Sequence, residues 1–264
     1  MVNKDLTFIG NGSADKVIID GSKKGVMFQI RDKAKVTFVN ITFINGQHAY
    51  GESGAVIDSR GCTLNIDNCR FINNSAGYNG GAVSNAREGS TAGKMVLTNS
   101  IFIGNDCVHD GGAVSTYLSE SVIKNCQFYN NTAGRDGGAI RVKFSDYHLI
   151  DNCTFMYNLA SGGNGWGGAI YTWTDVDSYI YNCYIVCNYA DEAGAGITSA
   201  SRLVAINNTI VNNTAGIMGG EYTSTKKVKK NTPLQFSTTM TSMEMLYCVH
   251  ICRAMAVWMC ISAL

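Results

Sequence analysis

The stretch Phe128-Tyr129-Asn130-Asn131-Thr132-Ala133-Gly134-Arg135-Asp136-Gly137-Gly138-Ala139-Ile140 decides the fold, because its parts return in one order along the chain. Gly-Gly-Ala-Ile/Val stands at Gly80–Val83, Gly111–Val114, Gly137–Ile140 and Gly167–Ile170, with degenerate copies at Ser53–Val56, Gly194–Ile197 and Gly219–Tyr222. Phe-x-x-Asn precedes it at Phe71–Asn74, Phe102–Asn105, Phe128–Asn131 and Phe155–Asn158. Ile replaces Phe at Ile185–Asn188 and Ile210–Asn213, and Phe43–Gly46 lacks the Asn. A third ladder runs ahead of both: Asn40, Asn68, Asn99, Asn125, Asn152, Asn182 and Asn207. Successive units are 25–31 residues apart. Three ladders in one order over seven units define a repeat architecture.

Each unit carries short alternating apolar runs, such as Val96-Leu97-Thr98, Ile101-Phe102-Ile103 and Ala113-Val114-Ser115. Alternation of that kind indicates strands with one face buried. No unit holds a ten-residue apolar helix pattern, so helical and leucine-rich repeats are disfavoured. Three short strands per unit, joined at Asn and Gly corners, describe one rung of a parallel β-helix with rungs roughly 4.8 Å apart. Equivalent residues then form columns, with Phe71, Phe102, Phe128 and Phe155 stacked inside. Asn belongs at the corners, where its amide bonds the backbone and its neighbours. Length variation falls in loops at Arg87–Gly93 and Ser161–Trp166. Leu6–Ile9, Val17–Asp20 and Met27–Ile30 supply an irregular first rung, for about eight rungs in all.

Composition agrees. The 264 residues are 45% apolar and 16% charged, with net charge +1, which excludes a disordered tail, a coiled coil and a strongly basic nucleic-acid surface. There are 29 Gly, 25 Asn and one Pro. Gly and Asn most readily accept left-handed backbone, so many tight turns and few long helices are expected. All the Gly and 24 of the Asn lie in residues 1–224; residues 225–264 carry +4, with Lys226, Lys227, Lys229 and Lys230. A repeat domain over 1–224 and a non-repeat tail over 225–264 follow. Met245–Leu264 is an apolar run long enough to span a bilayer, but His250 and Arg253 interrupt it. A cap, a weak anchor and out-of-frame translation are the readings open to the tail, and the abrupt loss of Gly and Asn ranks the last first.

Phe-x-x-Asn followed by Gly-Gly-Ala-Ile/Val resembles the repeats of polymorphic outer-membrane proteins. Residues 3–224 resemble adhesin-like right-handed parallel β-helix proteins of archaeal and bacterial surfaces, and Leu6-Thr7-Phe8-Ile9-Gly10-Asn11-Gly12 is similar to the start of such domains. The resemblance implies an extracellular or cell-surface location and adhesion, and names no ligand. Met1–Asp5 enters the repeat without a signal-peptide pattern, so a fragment of a longer secreted protein is expected. Membrane association would come only from missing segments or the tail.

Several residue sets carry candidate chemistry. Cys69, Cys126, Cys153 and Cys183 each follow a ladder Asn and share one column, which suits small buried side chains. Parallel Cβ directions make a poor disulfide dihedral, and no Cys-x-x-Cys pair exists, so no metal is assigned. Sequons at Asn11, Asn40, Asn73, Asn130, Asn152, Asn207 and Asn212 are by-products of the ladders, and several of these Asn are expected to point inward. His109-Asp110 and Arg135-Asp136 occupy one position on successive rungs, close enough to share a cation or a proton. A polysaccharide lyase or hydrolase would use Asp110, Asp136 and Arg135, with calcium as the conceivable cofactor. Asp before Gly-Gly is equally an ordinary turn residue, which is the favoured reading.

Outward positions after Gly-Gly-Ala-Ile give Ser115 and Tyr117, Arg141 and Lys143, and Tyr171 and Trp173 on three consecutive rungs. Aromatics and cations then share one exposed flat face. Flat rings stack on sugars, and Arg and Lys pair with uronate or sulfate. The expected site is Tyr117, Arg141, Lys143, Tyr171 and Trp173, with Trp166 and the Asp110/Asp136 loop at its rim. The expected function is binding of a polysaccharide or a cell-surface glycan without catalysis and without a cofactor; nucleic acid is not expected. A lyase or hydrolase and a purely structural stalk are the alternatives.

Overall fold

A computed structural model describes residues 1–220 and the backbone of Tyr222–Ser224 and Gln235–Phe236. The tail readings at 225–264, including Lys226–Lys230, His250 and Arg253, lie outside the described side chains. Four parallel sheets of eight, nine, seven and eight strands run side by side around one coil. One rung comprises Gly93–Thr98, Ile101–Ile103, Asp106–Cys107 and Val114–Tyr117. Each strand pairs with its equivalent one rung away, as Phe71, Phe102, Phe128 and Phe155 do in unbroken register. Leu6–Ile9, Ile18–Asp20 and Phe28–Ile30 form the first rung. The rung has four strands rather than the three expected from sequence. The extra one spans two residues in most rungs, as at Thr132–Ala133 and Leu159–Ala160, too short to show alternation.

The lumen is filled by columns. Phe43, Phe71, Phe102, Phe128 and Phe155 are fully buried, and their successive ring centroids lie 5.1, 4.6, 4.9 and 4.8 Å apart. Those separations are the strand spacing itself, so one sheet register sets both backbone pairing and ring stacking. Cys69, Cys126, Cys153 and Cys183 are buried free thiols in a neighbouring column, with Ser100 taking one place. Burial pushes the Cys126 and Cys183 thiols well up, away from the reactive thiolate.

Two asparagine ladders hold the corners. In the inner ladder, Nδ2 of Asn105, Asn131 and Asn158 donates to Oδ1 of the Asn one rung on, each at 2.9 Å. That same oxygen accepts the backbone N–H of Asn131 and Asn158 at 3.0 and 2.9 Å. Nδ2 of Asn131 also reaches the Phe102 carbonyl, and Nδ2 of Asn158 the Phe128 carbonyl, at 3.2 and 3.0 Å. This explains the Phe-x-x-Asn spacing. Where Asn is missing, the Gly46 N–H takes the Asn74 Oδ1 at 2.8 Å. The outer ladder is exposed and left-handed: Asn125 and Asn152 have φ of 55 and 51°, and Nδ2 of Asn152 donates to Asn125 Oδ1 at 2.9 Å.

This arrangement corrects the expected placement of the sequons. Asn73, Asn130, Asn152 and Asn207 are exposed, while the inward side chains belong to residues outside those acceptor positions, such as Asn74, Asn131 and Asn208. The paired glycines serve two different needs. Gly111 has φ of 73°, and a Cβ on Gly112 would stand 2.1 Å from the Gly138 carbonyl oxygen of the next rung.

Replacing Asn131 by Ala strands a backbone N–H and a carbonyl in the lumen, so a loss of about 1–3 kcal/mol is expected. Asn125→Ala removes an exposed link and should cost below about 1 kcal/mol. Urea unfolding of the two variants side by side checks the order.

Candidate functional site

The sheet after the Gly-Gly corners presents two outward columns. The first runs Asp58, Ser84, Ser115, Arg141, Tyr171 and Thr198 in direct register. The second runs Arg60, Ala86, Tyr117, Lys143 and Trp173. On either side of Arg141, Ile140 and Val142 point into the lumen, as strand alternation requires. All the residues expected at the site therefore do meet on one side of the solenoid.

The flat exposed face is not what forms. Ser115, Arg141 and Tyr171 are only 2, 4 and 5% exposed, whereas Tyr117 and Trp173 stand out at 40 and 41%. The loop before Gly-Gly folds up beside the first column and walls it in, so the surface becomes a cleft of about 680 Å³. Arg135, Asp136 and Trp166 line that wall, Tyr171 the floor, and Lys143 and Trp173 the far side. Asn164, Glu192 and Ala200 complete the lining. These three carried no sequence signal, because the loop and the following rung bring them in.

The wall is built by another ladder. Asp110 N–H donates to Asn79 Oδ1, Asp136 N–H to Asp110 Oδ1, and Trp166 N–H to Asp136 Oδ1, at 3.1, 3.4 and 3.3 Å. Asp110 and Asp136 thus each accept the backbone N–H of the following rung's loop rather than one in their own turn. Asp110 is buried and doubly paired. Arg135 grips it through Nε and Nη2 at 2.8 and 2.7 Å, and Arg141 Nη2 lies 3.3 Å away. Arg135 Nε also stands 3.5 Å from Asp136 Oδ2, so the cation that the two carboxylates share is a guanidinium. Among the described residues no group of three His, Cys, Asp or Glu could hold a metal ion.

Asp136 is the unusual acid. Burial and the Asp110 charge raise its carboxyl to about 6, against the pull of Arg135, the Trp166 N–H and Arg141. Burial and both carboxylates push the Tyr171 phenol well up. Across the cleft, Lys143 Nζ lies 4.6 Å from the Trp173 ring centre and 5.2 Å from that of Phe144. Phe144 in turn meets Tyr117 at 5.8 Å and Trp173 at 5.6 Å, making one aromatic row. Phe144 was missed from sequence because it joins the row through a left-handed corner, with φ of 54°. Lys143 has no carboxylate within ion-pair distance among the described residues, and burial and Arg141 lower its pKa.

Comparison with known proteins agrees with this architecture. Residues 84–232 match the family described as the right handed beta helix region, and the chain belongs to that family. Residues 68–86, which span Phe71-x-x-Asn74 and Gly80–Val83, match the Chlamydia polymorphic membrane protein repeat. The probable autotransporter YfaL of Escherichia coli (strain K12) is 30% identical over 211 residues, 74% of this chain and 16% of that protein. The chain thus spans about a sixth of its relative's length. No solved structure matches the chain.

A carboxyl raised by folding stabilises the fold below its unfolded pKa, and that contribution is lost as pH rises through the folded value. The Asp136 contribution to wild-type stability should therefore fall between about pH 4 and 6, by an amount on the order of 2–3 kcal/mol, while the buried His148, its pKa lowered to about 4, adds stability over the same window in both proteins. Asp136→Asn should lack this fall. Urea midpoints of the two proteins from pH 4 to 7.5 check it.

Proposed function

We propose that this chain is a surface-exposed β-helical segment of a larger protein and binds a glycan in the cleft without cleaving it. The likeness to a protein named as an autotransporter, and to a repeat named for a membrane protein, supports the surface location. The single observation that carries the binding reading is Trp173 with Lys143 against it, facing Arg135 and Trp166 across an open cleft and continued outside it by Phe144 and Tyr117 in one aromatic row. Rings of this kind offer flat apolar faces to sugar rings, and the cations offer donors to their oxygens. Arg141, expected at the surface, acts from below by neutralising Asp110.

Asp136 favours one alternative, since a carboxyl near 6 is suited to donating a proton. Its weakness is Asp110, which two guanidinium groups hold as a counter-ion and so remove as a second catalytic carboxylate.

The full chain incubated with neutral and acidic polysaccharides, with and without calcium, should retain polymer and leave its length unchanged. Trp173→Ala should weaken retention about tenfold or more, the effect of truncating a central aromatic contact. Shortened polymer that persists in wild type and vanishes in Asp136→Asn would make the protein an enzyme. Failure to retain any polymer would leave the stalk reading.

A further inference from the structure

We propose, resting on the glycan reading, that the ligand is a linear anionic glycan lying along the solenoid axis, with an acid group at Lys143, sugar rings over Tyr117 and Trp173, and its continuation at Arg60. The axis-parallel direction follows from register. Arg60, Ala86, Tyr117, Lys143 and Trp173 occupy one outward column on five successive rungs. At roughly 4.8 Å per rung, Tyr117 and Trp173 are about 10 Å apart with the lysine midway, and Arg60 lies about 14 Å from Lys143. A repeating polymer matches a repeating column. A compact ligand would use the cleft and leave Arg60 untouched.

Between Arg60 and Tyr117 the column carries only the small side chain of Ala86. Arg60 is itself prepared for exchange. Its Nη2 lies 3.2 Å from the buried Asp58, which Arg31 also holds, and 3.6 Å from the half-exposed Glu52. An exposed pair such as Arg60–Glu52 is weak, so an incoming anion can replace Glu52.

The negative charge follows from Lys143 and not from the total charge, since Arg135, Arg141 and Lys143 offset Asp110, Asp136 and Glu192 in number. Asp110 is taken by Arg135 and Arg141, and Asp136 leans on Arg135. Glu192 lines the cleft too, yet no carboxylate pairs with Lys143 among the described residues. Lys143 lies beside two rings, where burial and then Arg141 and Arg135 act on it against Asp110 and Asp136, and a neutral ligand would bury it further without a paired counter-charge. A carboxylate or sulfate ester supplies that charge. A single-stranded polynucleotide fits less well, because it draws affinity from several unpaired cations along its phosphates. This column offers Lys143 and one exchangeable arginine.

The test measures binding of the full chain to size-fractionated oligogalacturonates, sulfated galactan fragments, neutral galactan fragments of equal length and oligo(dT). Acidic fragments of one or both kinds should bind more tightly than neutral ones, and the tighter acid names the group. Affinity should rise with length and level off once a fragment covers the four steps from Arg60 to Trp173, roughly 19 Å. Lys143→Met should weaken acidic fragments about tenfold or more and flatten their salt dependence, with Lys143→Arg retaining both. Arg60→Ala should weaken long fragments only. Equal binding of acidic and neutral fragments overturns the anionic chain while keeping the glycan reading. Affinity that does not grow with length overturns the axial path, and tighter binding of oligo(dT) replaces the glycan by a nucleic acid. Binding of no fragment removes the glycan reading and this proposal with it.

Discussion

Register between rungs is the constraint on which everything else depends, and the inner asparagine ladder enforces it. A parallel sheet by itself tolerates a slip of two residues, since the same faces stay buried. The Asn105–Asn131–Asn158–Asn188 chain does not, because each amide must meet both the next Asn and the carbonyl of a Phe one rung back. A slip would leave buried donors without acceptors, which costs more than a mispaired apolar contact. Such a ladder makes neighbouring rungs interdependent while distant rungs stay uncoupled, as expected of a solenoid.

Strict register is also what makes a surface column meaningful. Tyr117, Lys143 and Trp173 are 26 and 30 residues apart in sequence and adjacent in space only because each rung returns to the same phase. Loop length varies between rungs without disturbing that phase, and the variation is spent on shape. The longer Ser161–Trp166 segment places Asn164 and Trp166 in the cleft wall. The electrostatics follow from the same geometry. Side chains that alternation sends outward are buried again by the wall, so Arg141 becomes the hidden partner of Asp110 and Asp136 is left partly desolvated.

Membership of the right-handed β-helix family explains the scaffold and leaves the site to be argued from its own residues, since one fold carries many functions. The features that set this stretch of solenoid apart are local to the rungs that carry residues 110–200. There Ser84 and Ala86 of an earlier rung give way to Arg141, Lys143, Tyr171 and Trp173.

Columns, corners and repeat count were legible in the sequence because each recurs. Phe-x-x-Asn marked the lumen, Gly-Gly-Ala-Ile/Val marked the tight corner, and the outer Asn marked the left-handed bends. The site residues were legible as a set through the same phase argument. Their exposure was not. Whether Arg141 meets solvent depends on a loop from the neighbouring rung, and no period in the chain encodes the height of that loop. The elevated Asp136 shares this origin, whereas the fourth strand was too short to show alternation and Phe144 enters its row through a left-handed corner. Periodicity determines which residues stack, because stacking is one-dimensional. Tertiary structure alone decides what stands beside the stack, and burial, charge balance and the cleft come from that lateral packing.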